Sequence, residues 1–196
     1  MIKDENNLPK LSKQLKAVDG KKVQVGFLGD DDLTMIAGVQ EFGATIKPKK
    51  SKFLTIPVHK SAKGKSPRDF KDLTFIPSKN PDTAILAKVN GKSITTYFVL
   101  KKEVIIPERS FVRSSFDNKK EINKIIDEAK EVFDIKKEPN KILARIGARM
   151  IAVIQKKIKS NISPKNAPVT TEMKGGKNKT LVDTGRLVQG VGYKIK

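Results

Sequence analysis

The last sixteen residues constrain the fold most, because they join a turn to a strand that needs a partner elsewhere in the chain. Asp183, Thr184 and Gly185 predict a tight turn or a helix N-cap, since Asp and Thr side chains bond nearby backbone and glycine tolerates positive φ. Residues 191–196 then alternate between apolar side chains and glycine or lysine, the period-2 pattern of a half-buried strand. A terminal strand frays unless it is docked, so we expect this one to close a sheet.

The same turn has the form in which an aspartic protease presents its catalytic carboxylate, two apolar residues followed by Asp-Thr-Gly. Such an enzyme needs two aspartates that share one proton. Here the motif occurs once, only eleven residues follow Gly185, and Arg186 would place a cation beside the carboxylates. We therefore interpret the turn as structural.

The composition bounds the number of domains and argues against several kinds of catalytic and metal-binding site. A chain of 196 residues with 37% hydrophobic residues is long enough for one domain, or one domain with an arm. The absence of Cys excludes disulfides and thiolate metal sites, and His59, the only His, argues against His-based metal sites and Ser-His-Asp triads. We expect no cofactor. No apolar run approaches the roughly 18 residues that span a bilayer, and residues 1–7 lack the apolar core of a signal peptide.

The net charge of +20 is concentrated in two blocks. Residues 47–71 hold nine Lys or Arg against one acid, and residues 139–196 hold thirteen against two. Blocks of this kind indicate a polyanionic partner, most simply nucleic-acid phosphate. A solvated lysine-rich surface explains them equally well at this point.

The N-terminal part predicts a helix, a strand and a second helix. Leucines recur at helical spacing from residue 8 to Val18, and residues 22–28 alternate as a strand. Asp30, Asp31 and Asp32 could hold a hard cation, but carboxylates also suit a helix N-terminus, and we expect them to cap a helix that ends at Gly43.

Residues 44–107 predict short strands separated by turns, with a hairpin at Asn90-Gly91. The basic segment 60–68 lacks apolar anchors, and we expect it to be mobile. Gly-Lys-Ser occurs at 64–66 and 91–93, yet both triplets lack the preceding glycine of a phosphate-binding loop.

Two amphipathic helices follow. The first has an apolar stripe from Ile122 to Phe133, and the second begins at Pro139 with a predicted core face of Leu143, Ile146, Met150, Ile154 and Ile158. On the second helix no acids interleave with a basic stripe, which favours a surface that presents cations to DNA phosphate. Acidic protein partners and an ordinary solvated face are the alternatives. The residues of the stripe are Lys141, Arg145, Arg149, Lys156 and Lys159. A polar loop is expected over residues 169–180.

Four segments occur in an informative order. They are Ala37-Gly-Val-Gln-Glu-Phe-Gly-Ala-Thr-Ile46, Val104-Ile-Ile-Pro-Glu-Arg-Ser-Phe-Val-Arg113, Asn161-Ile-Ser-Pro-Lys-Asn-Ala-Pro-Val-Thr170 with Lys174, and Leu181-Val-Asp-Thr-Gly-Arg-Leu187. Together they resemble the neck and tail-completion proteins of long-tailed bacteriophages, the virion-morphogenesis family that includes Mu-like members. The middle of the chain, from Gly64 to Leu100, is similar to the Mu-like branch.

The resemblance implies a structural virion protein without catalysis, assembled in the host cytoplasm and placed at the head–tail interface. It implies a ring of about six copies around the DNA channel, between portal or head-completion proteins and tail-terminator or tail-tube proteins. In the resembling segments we expect Arg109 to satisfy backbone carbonyls, Phe111 to anchor a helix and Arg186 to pair with Glu41 or a neighbouring subunit. The candidate fold-signature or inter-subunit residues are Glu41, Phe42, Gly43, Pro107, Arg109, Phe111, Asp183, Thr184, Gly185 and Arg186.

We therefore predict a single α+β domain over residues 1–196. A small, mainly antiparallel sheet packs against the two long helices, and residues 44–103 form a protruding basic β-arm. The alternative function, based on charge alone, is a free nucleic-acid-binding protein without sequence preference.

Overall fold

The computed structural model describes residues 6–176 and 178–196, and its fold is α+β with small antiparallel sheets, as predicted. Residues 1–5, which belong to the segment expected to lack the apolar core of a signal peptide, lie outside the described residues. The helices are α1 (Leu8–Val18), α2 (Asp31–Phe42), α3 (Lys119–Lys130), α4 (Pro139–Lys159), α5 (Pro168–Met173) and α6 (Arg186–Gln189). The strands are β1 (Val23–Phe27), β2 (Ala44–Ile46), β3 (Leu54–Pro57), β4 (Thr74–Pro77), β5 (Thr83–Asn90), β6 (Ser93–Lys101), β7 (Val104–Ile106) and β8 (Val191–Ile195).

The predicted terminal strand is β8, and it closes a sheet by pairing antiparallel with β1. Helix α4 packs against both strands of this sheet. The approach is close at Gly147, where a Cβ atom would overlap the ring of Tyr193. The small residue therefore lets the terminal strand lie directly on the helix. The main core cluster beside this contact includes Phe111, Ile154 and Ile158, all with no exposed surface.

Helix α3 packs against α4, and the two helices differ in detail from the sequence expectation. Helix α4 begins at Pro139 as predicted, but its first core residue is Ile142, while Leu143 is only half-buried. The apolar stripe of α3 ends early, because a 3-10 turn follows at Glu131–Phe133 and leaves Phe133 exposed. Ile142 and Leu143 are both apolar and lie about 100° apart around the helix. The sequence pattern alone therefore did not show which of the two faces the core.

The central region forms its own four-stranded antiparallel sheet in the order β3-β6-β5-β4, with the predicted hairpin between β5 and β6. Strands β2 and β7 form a separate two-stranded antiparallel ribbon at the two ends of this region. The basic segment 60–68 begins with a 3-10 turn at Lys60–Ala62 and runs into a second at Pro67–Asp69, and Ala62 is fully buried. The segment thus has an apolar anchor, contrary to the expectation from sequence.

The chain between α4 and the terminal turn contains helix α5, where a polar loop was expected. Pro168 stands in its first turn, where a missing N–H is tolerated. Of the helices in the described residues, none is both long and apolar enough to cross a membrane.

Candidate functional site

The carboxylate of Glu41, at the end of α2, holds the turn that follows β7. It accepts hydrogen bonds from the Ser110 hydroxyl (2.8 Å) and from the amides of Phe111 (2.7 Å), Val112 (2.8 Å) and Arg113 (3.1 Å). The Arg113 guanidinium donates a further bond at 3.0 Å. Glu41 is only 4% exposed, so these bonds replace the water that the carboxylate loses.

The surroundings of Glu41 favour the ionised form of its carboxyl group. Burial raises the pKa of the carboxyl, but the hydrogen bonds it accepts, led by those from the Val112 and Phe111 amides, outweigh burial and hold the pKa below its usual value. The Arg113 guanidinium also lies 4.9 Å from the centre of the Phe42 ring. Glu41 and Arg113 therefore act as one polar link between α2 and the turn.

Gly43 allows the chain to turn sharply after α2. Its φ of 71° is in the region that favours glycine, and a Cβ there would lie 2.9 Å from both the Glu108 nitrogen and the Ile106 oxygen. Glycine is thus required on two grounds, backbone conformation and close approach. The turn brings β2 beside β7, so residue 43 lies directly against the segment that contains Pro107.

Arg109 ties a third segment to this junction. Its Nε donates to the Pro164 carbonyl (2.8 Å), while its terminal nitrogens lie 3.4 Å from the Lys165 oxygen and 3.3 Å from the Gln40 side-chain oxygen. Arg109 is 7% exposed, and this burial lowers the pKa of its guanidinium. The prediction that Arg109 satisfies backbone carbonyls is confirmed. Phe111, which was expected to anchor a helix, is fully buried in the main core cluster.

The terminal turn packs at the opposite, N-terminal end of α2. Gly185 has a φ of 90° and precedes α6, as expected for a helix cap. Arg186 pairs with Asp30 at 3.4 Å and not with Glu41, whose carboxylate is engaged by residues 110–113. The other partner expected for Arg186, a neighbouring subunit, stays a prediction. The Asp30 carboxylate also accepts a hydrogen bond from the Leu33 amide at 2.8 Å, which confirms the predicted cap of α2.

The side chains beside the Asp-Thr-Gly turn are basic. Lys63 lies 3.8 Å from the Asp183 carboxylate, and the Lys174 ammonium donates to the Thr180 carbonyl at 2.9 Å. Burial lowers the pKa of Lys174, and Asp183 opposes this effect. The Thr184 hydroxyl oxygen lies 3.5 Å from the Arg186 amide. Within the described residues no group of three or more His, Asp or Glu side chains could hold a metal ion.

The basic stripe of α4 divides into two parts. Lys141 pairs with Glu138 (2.6 Å), Arg145 with Glu131, and Arg149 with Glu128 through its Nε (2.7 Å). These acids come from α3 and the turns between the helices, so the absence of acids on α4 itself did not leave the three cations unpaired. Lys156 and Lys159 are exposed and have no salt bridge within the described chain.

The central sheet carries an aromatic and basic cluster that the sequence analysis missed. The His59 ring stacks on Tyr97 at 4.5 Å, Phe70 meets Tyr97 edge-on, and Lys65 and Lys88 lie over these rings. The residues come from different strands and turns, and the only available signal was the lysine excess around them.

No protein-family model, curated protein or solved structure matches the chain. Glu41, Gly43 and Arg109 connect the ends of elements through buried hydrogen bonds and close backbone contact, which is the arrangement of a structural junction.

Proposed function

We propose that this chain is a structural virion protein of a tailed bacteriophage, acting at the head–tail junction as a ring around the DNA channel. The observation that carries the proposal is the convergence of the four resembling segments. Glu41 links the first to the second, Arg109 links the second to the third, and Lys174, which accompanies the third, donates to the Val182 carbonyl of the fourth at 3.4 Å. Segments that carry a family's signature are expected to meet where they determine a shared fold.

The neighbours in this proposal are portal or head-completion proteins on one side and tail-terminator or tail-tube proteins on the other. The test is electron microscopy of lysates from a phage in which this gene is interrupted. We expect filled heads and complete tails lying apart. Normally joined, infectious particles would overturn the head–tail role.

Contact with the passing DNA is assigned to the unpaired end of the basic stripe. Lys156 and Lys159 are exposed without acidic partners, whereas Lys141, Arg145 and Arg149 are already neutralised by Glu138, Glu131 and Glu128. Lys156→Glu with Lys159→Glu should lower DNA affinity and reduce the salt dependence by about two units of slope. Arg145→Gln with Arg149→Gln is the control and should change this slope less; equal loss in both variants would contradict the assignment.

The second candidate is a free nucleic-acid-binding protein, favoured by the net charge of +20 and by the aromatic and basic cluster on the central sheet. This function predicts a monomer whose DNA affinity falls steeply with salt. Rings that form as the protein concentration rises, whether or not DNA is present, would contradict this function.

A further inference from the structure

Most cations of the basic block 47–71 are not neutralised within the chain. Of its nine Lys and Arg residues, Lys47 pairs with Glu103 at 3.5 Å and Lys63 pairs with Asp183 at 3.8 Å. The other seven form no salt bridge in the part of the chain that the structure describes, and all are exposed. They are Lys49, Lys50, Lys52, Lys60, Lys65, Arg68 and Lys71.

The positive charge is densest over residues 60–71, which hold five Lys or Arg and one acid. That acid, Asp69, accepts a hydrogen bond from the Ser66 amide at 2.7 Å and so caps a 3-10 turn. The next acid along the chain, Asp72, pairs with Lys88 at 2.8 Å. The segment therefore keeps a clear excess of positive charge at the surface.

Buried and aromatic contacts hold this segment against the central sheet at both of its ends. Ala62 has no exposed surface, and the His59 ring stacks on Tyr97 at 4.5 Å. At the other end, the Phe70 ring meets Phe98 edge-on at 5.8 Å, and Phe98 is only 1% exposed. The backbone between these anchors is positioned before any partner binds, so its cations lose less conformational entropy on binding than those of a free loop.

Two lysines lie over the aromatic rings of these anchors. The Lys65 Nζ is 5.6 Å from the centre of the Phe70 ring, and the Lys88 Nζ is 5.4 Å from the centre of the Tyr97 ring. The Phe70 and Tyr97 rings are themselves 5.2 Å apart, so the two ammonium groups belong to one continuous patch. The rings are half-buried and already in contact with His59 and with each other. This arrangement favours contact through the cations over stacking of unpaired bases on the rings.

We propose that residues 59–71, together with Lys88, form a second DNA-binding surface, which contacts the phosphate backbone of a duplex without reading its sequence. Duplex DNA carries one negative charge about every 1.7 Å along its axis, and lysine binds phosphate as a point charge. Contacts to the backbone position a protein on DNA but carry no sequence information directly. The surface uses other residues than Lys156 and Lys159 of α4, and it requires neither a ring nor a virion.

Removal of the unpaired cations tests the surface. The segment variant replaces four exposed residues: Lys60→Gln, Lys65→Gln, Arg68→Gln and Lys71→Gln. The control variant makes the same change of charge at four exposed lysines near the N-terminus: Lys10→Gln, Lys13→Gln, Lys16→Gln and Lys22→Gln. In fluorescence anisotropy with a labelled duplex, the segment variant should reduce the slope of log affinity against log salt by about three units for each bound chain, and the control by less than about one. Equal reductions would overturn the surface, because total charge alone would then determine binding.

Amine labelling of the wild-type chain, analysed by mass spectrometry, gives a second test that needs no variant. Bound duplex should protect Lys60, Lys65 and Lys71 from acylation, while Lys10 and Lys13 stay reactive. Unchanged labelling of the first three lysines at saturating DNA would overturn the surface. Circular dichroism checks that the substituted chains of the first test are folded.

Competing probes test the chemistry of the partner, and the α4 variant separates the two DNA contacts. Tighter binding of poly-glutamate than of duplex DNA would overturn the choice of nucleic acid. A preference for single-stranded DNA over a duplex with the same number of phosphates would overturn backbone contact. Loss of DNA binding in Lys156→Glu with Lys159→Glu, without any loss in the segment variant, would retain the α4 contact and overturn this one. Loss in the segment variant together with normally joined particles after gene interruption would retain this surface and overturn the head–tail role.

Discussion

Two sets of ion pairs in this molecule differ in what surrounds them. Glu41 is buried and accepts hydrogen bonds from three successive backbone amides, whereas Glu131 meets Lys137 and Arg145, whose side chains are 41% and 50% exposed, at the surface of the α3–α4 pair. A buried carboxylate with several donors is expensive to disturb, while exposed pairs contribute little. The comparison indicates that the first set determines the fold and the second adjusts surface charge.

Removing the buried carboxylate should have the largest effect. Glu41→Ala leaves the amides of residues 111–113 without their acceptor, and we expect a loss of about 3–5 kcal/mol in the free energy of unfolding. Denaturant unfolding measures this loss. Glu41→Gln is the control, because it keeps one acceptor oxygen and should lose less. A loss below about 1 kcal/mol in Glu41→Ala would remove the distinction between the two sets.

Arg109 should have the next largest effect. Arg109→Met preserves much of the volume but leaves the Pro164 carbonyl without its donor, and we expect a loss of about 2–3 kcal/mol by thermal or denaturant unfolding. Arg109→Lys keeps the charge but lacks the planar guanidinium, so its stability should lie between those of the wild type and Arg109→Met. An unchanged stability in Arg109→Met would show that the link to residues 164–165 is dispensable.

Acid should weaken the Glu41 junction selectively. The folded pKa of Glu41 lies below its ordinary value of 4.5, so its contribution to stability is fully present above that pH and is lost as the pH falls through the folded pKa. Unfolding measured from neutral pH downward should show this loss in the wild type. The part that belongs to Glu41 should be absent from Glu41→Gln, and identical pH profiles would contradict the assignment.

The exposed pairs should have the smallest effect. Arg145→Gln should change the free energy of unfolding by less than about 1 kcal/mol, because its partner Glu131 remains solvated and retains Lys137 at 2.8 Å. The same denaturant experiment measures it. A loss as large as that of Glu41→Ala would mean that the α3–α4 pairs are also part of the structural framework.

Sequence patterns were sufficient where one element determines its own structure. The start of α4 at Pro139, the Asp30 cap and the alternating strand β8 follow from local chemistry, and all were predicted. Long-range partners were not available from such patterns. The pairing of Arg186 with Asp30, and of the α4 cations with acids on α3 and its following turn, depends on how separate elements pack.

The candidate site shows the same division. Glu41 and Arg109 were identified from the resembling segments, but Arg113 was not singled out although it ends one of them. The exposure of Met35 and Phe42 on α2 was also missed, because one-dimensional spacing does not reveal which apolar positions meet the core.

The proposed place of this chain in the virion neck predicts that purified particles contain it, and counting its copies in purified virions tests this proposal. Quantitative mass spectrometry of gradient-purified particles should find about six copies per virion, the number expected for one ring. A protein that is abundant in the lysate and absent from the particles would contradict the neck role and favour a free nucleic-acid-binding protein.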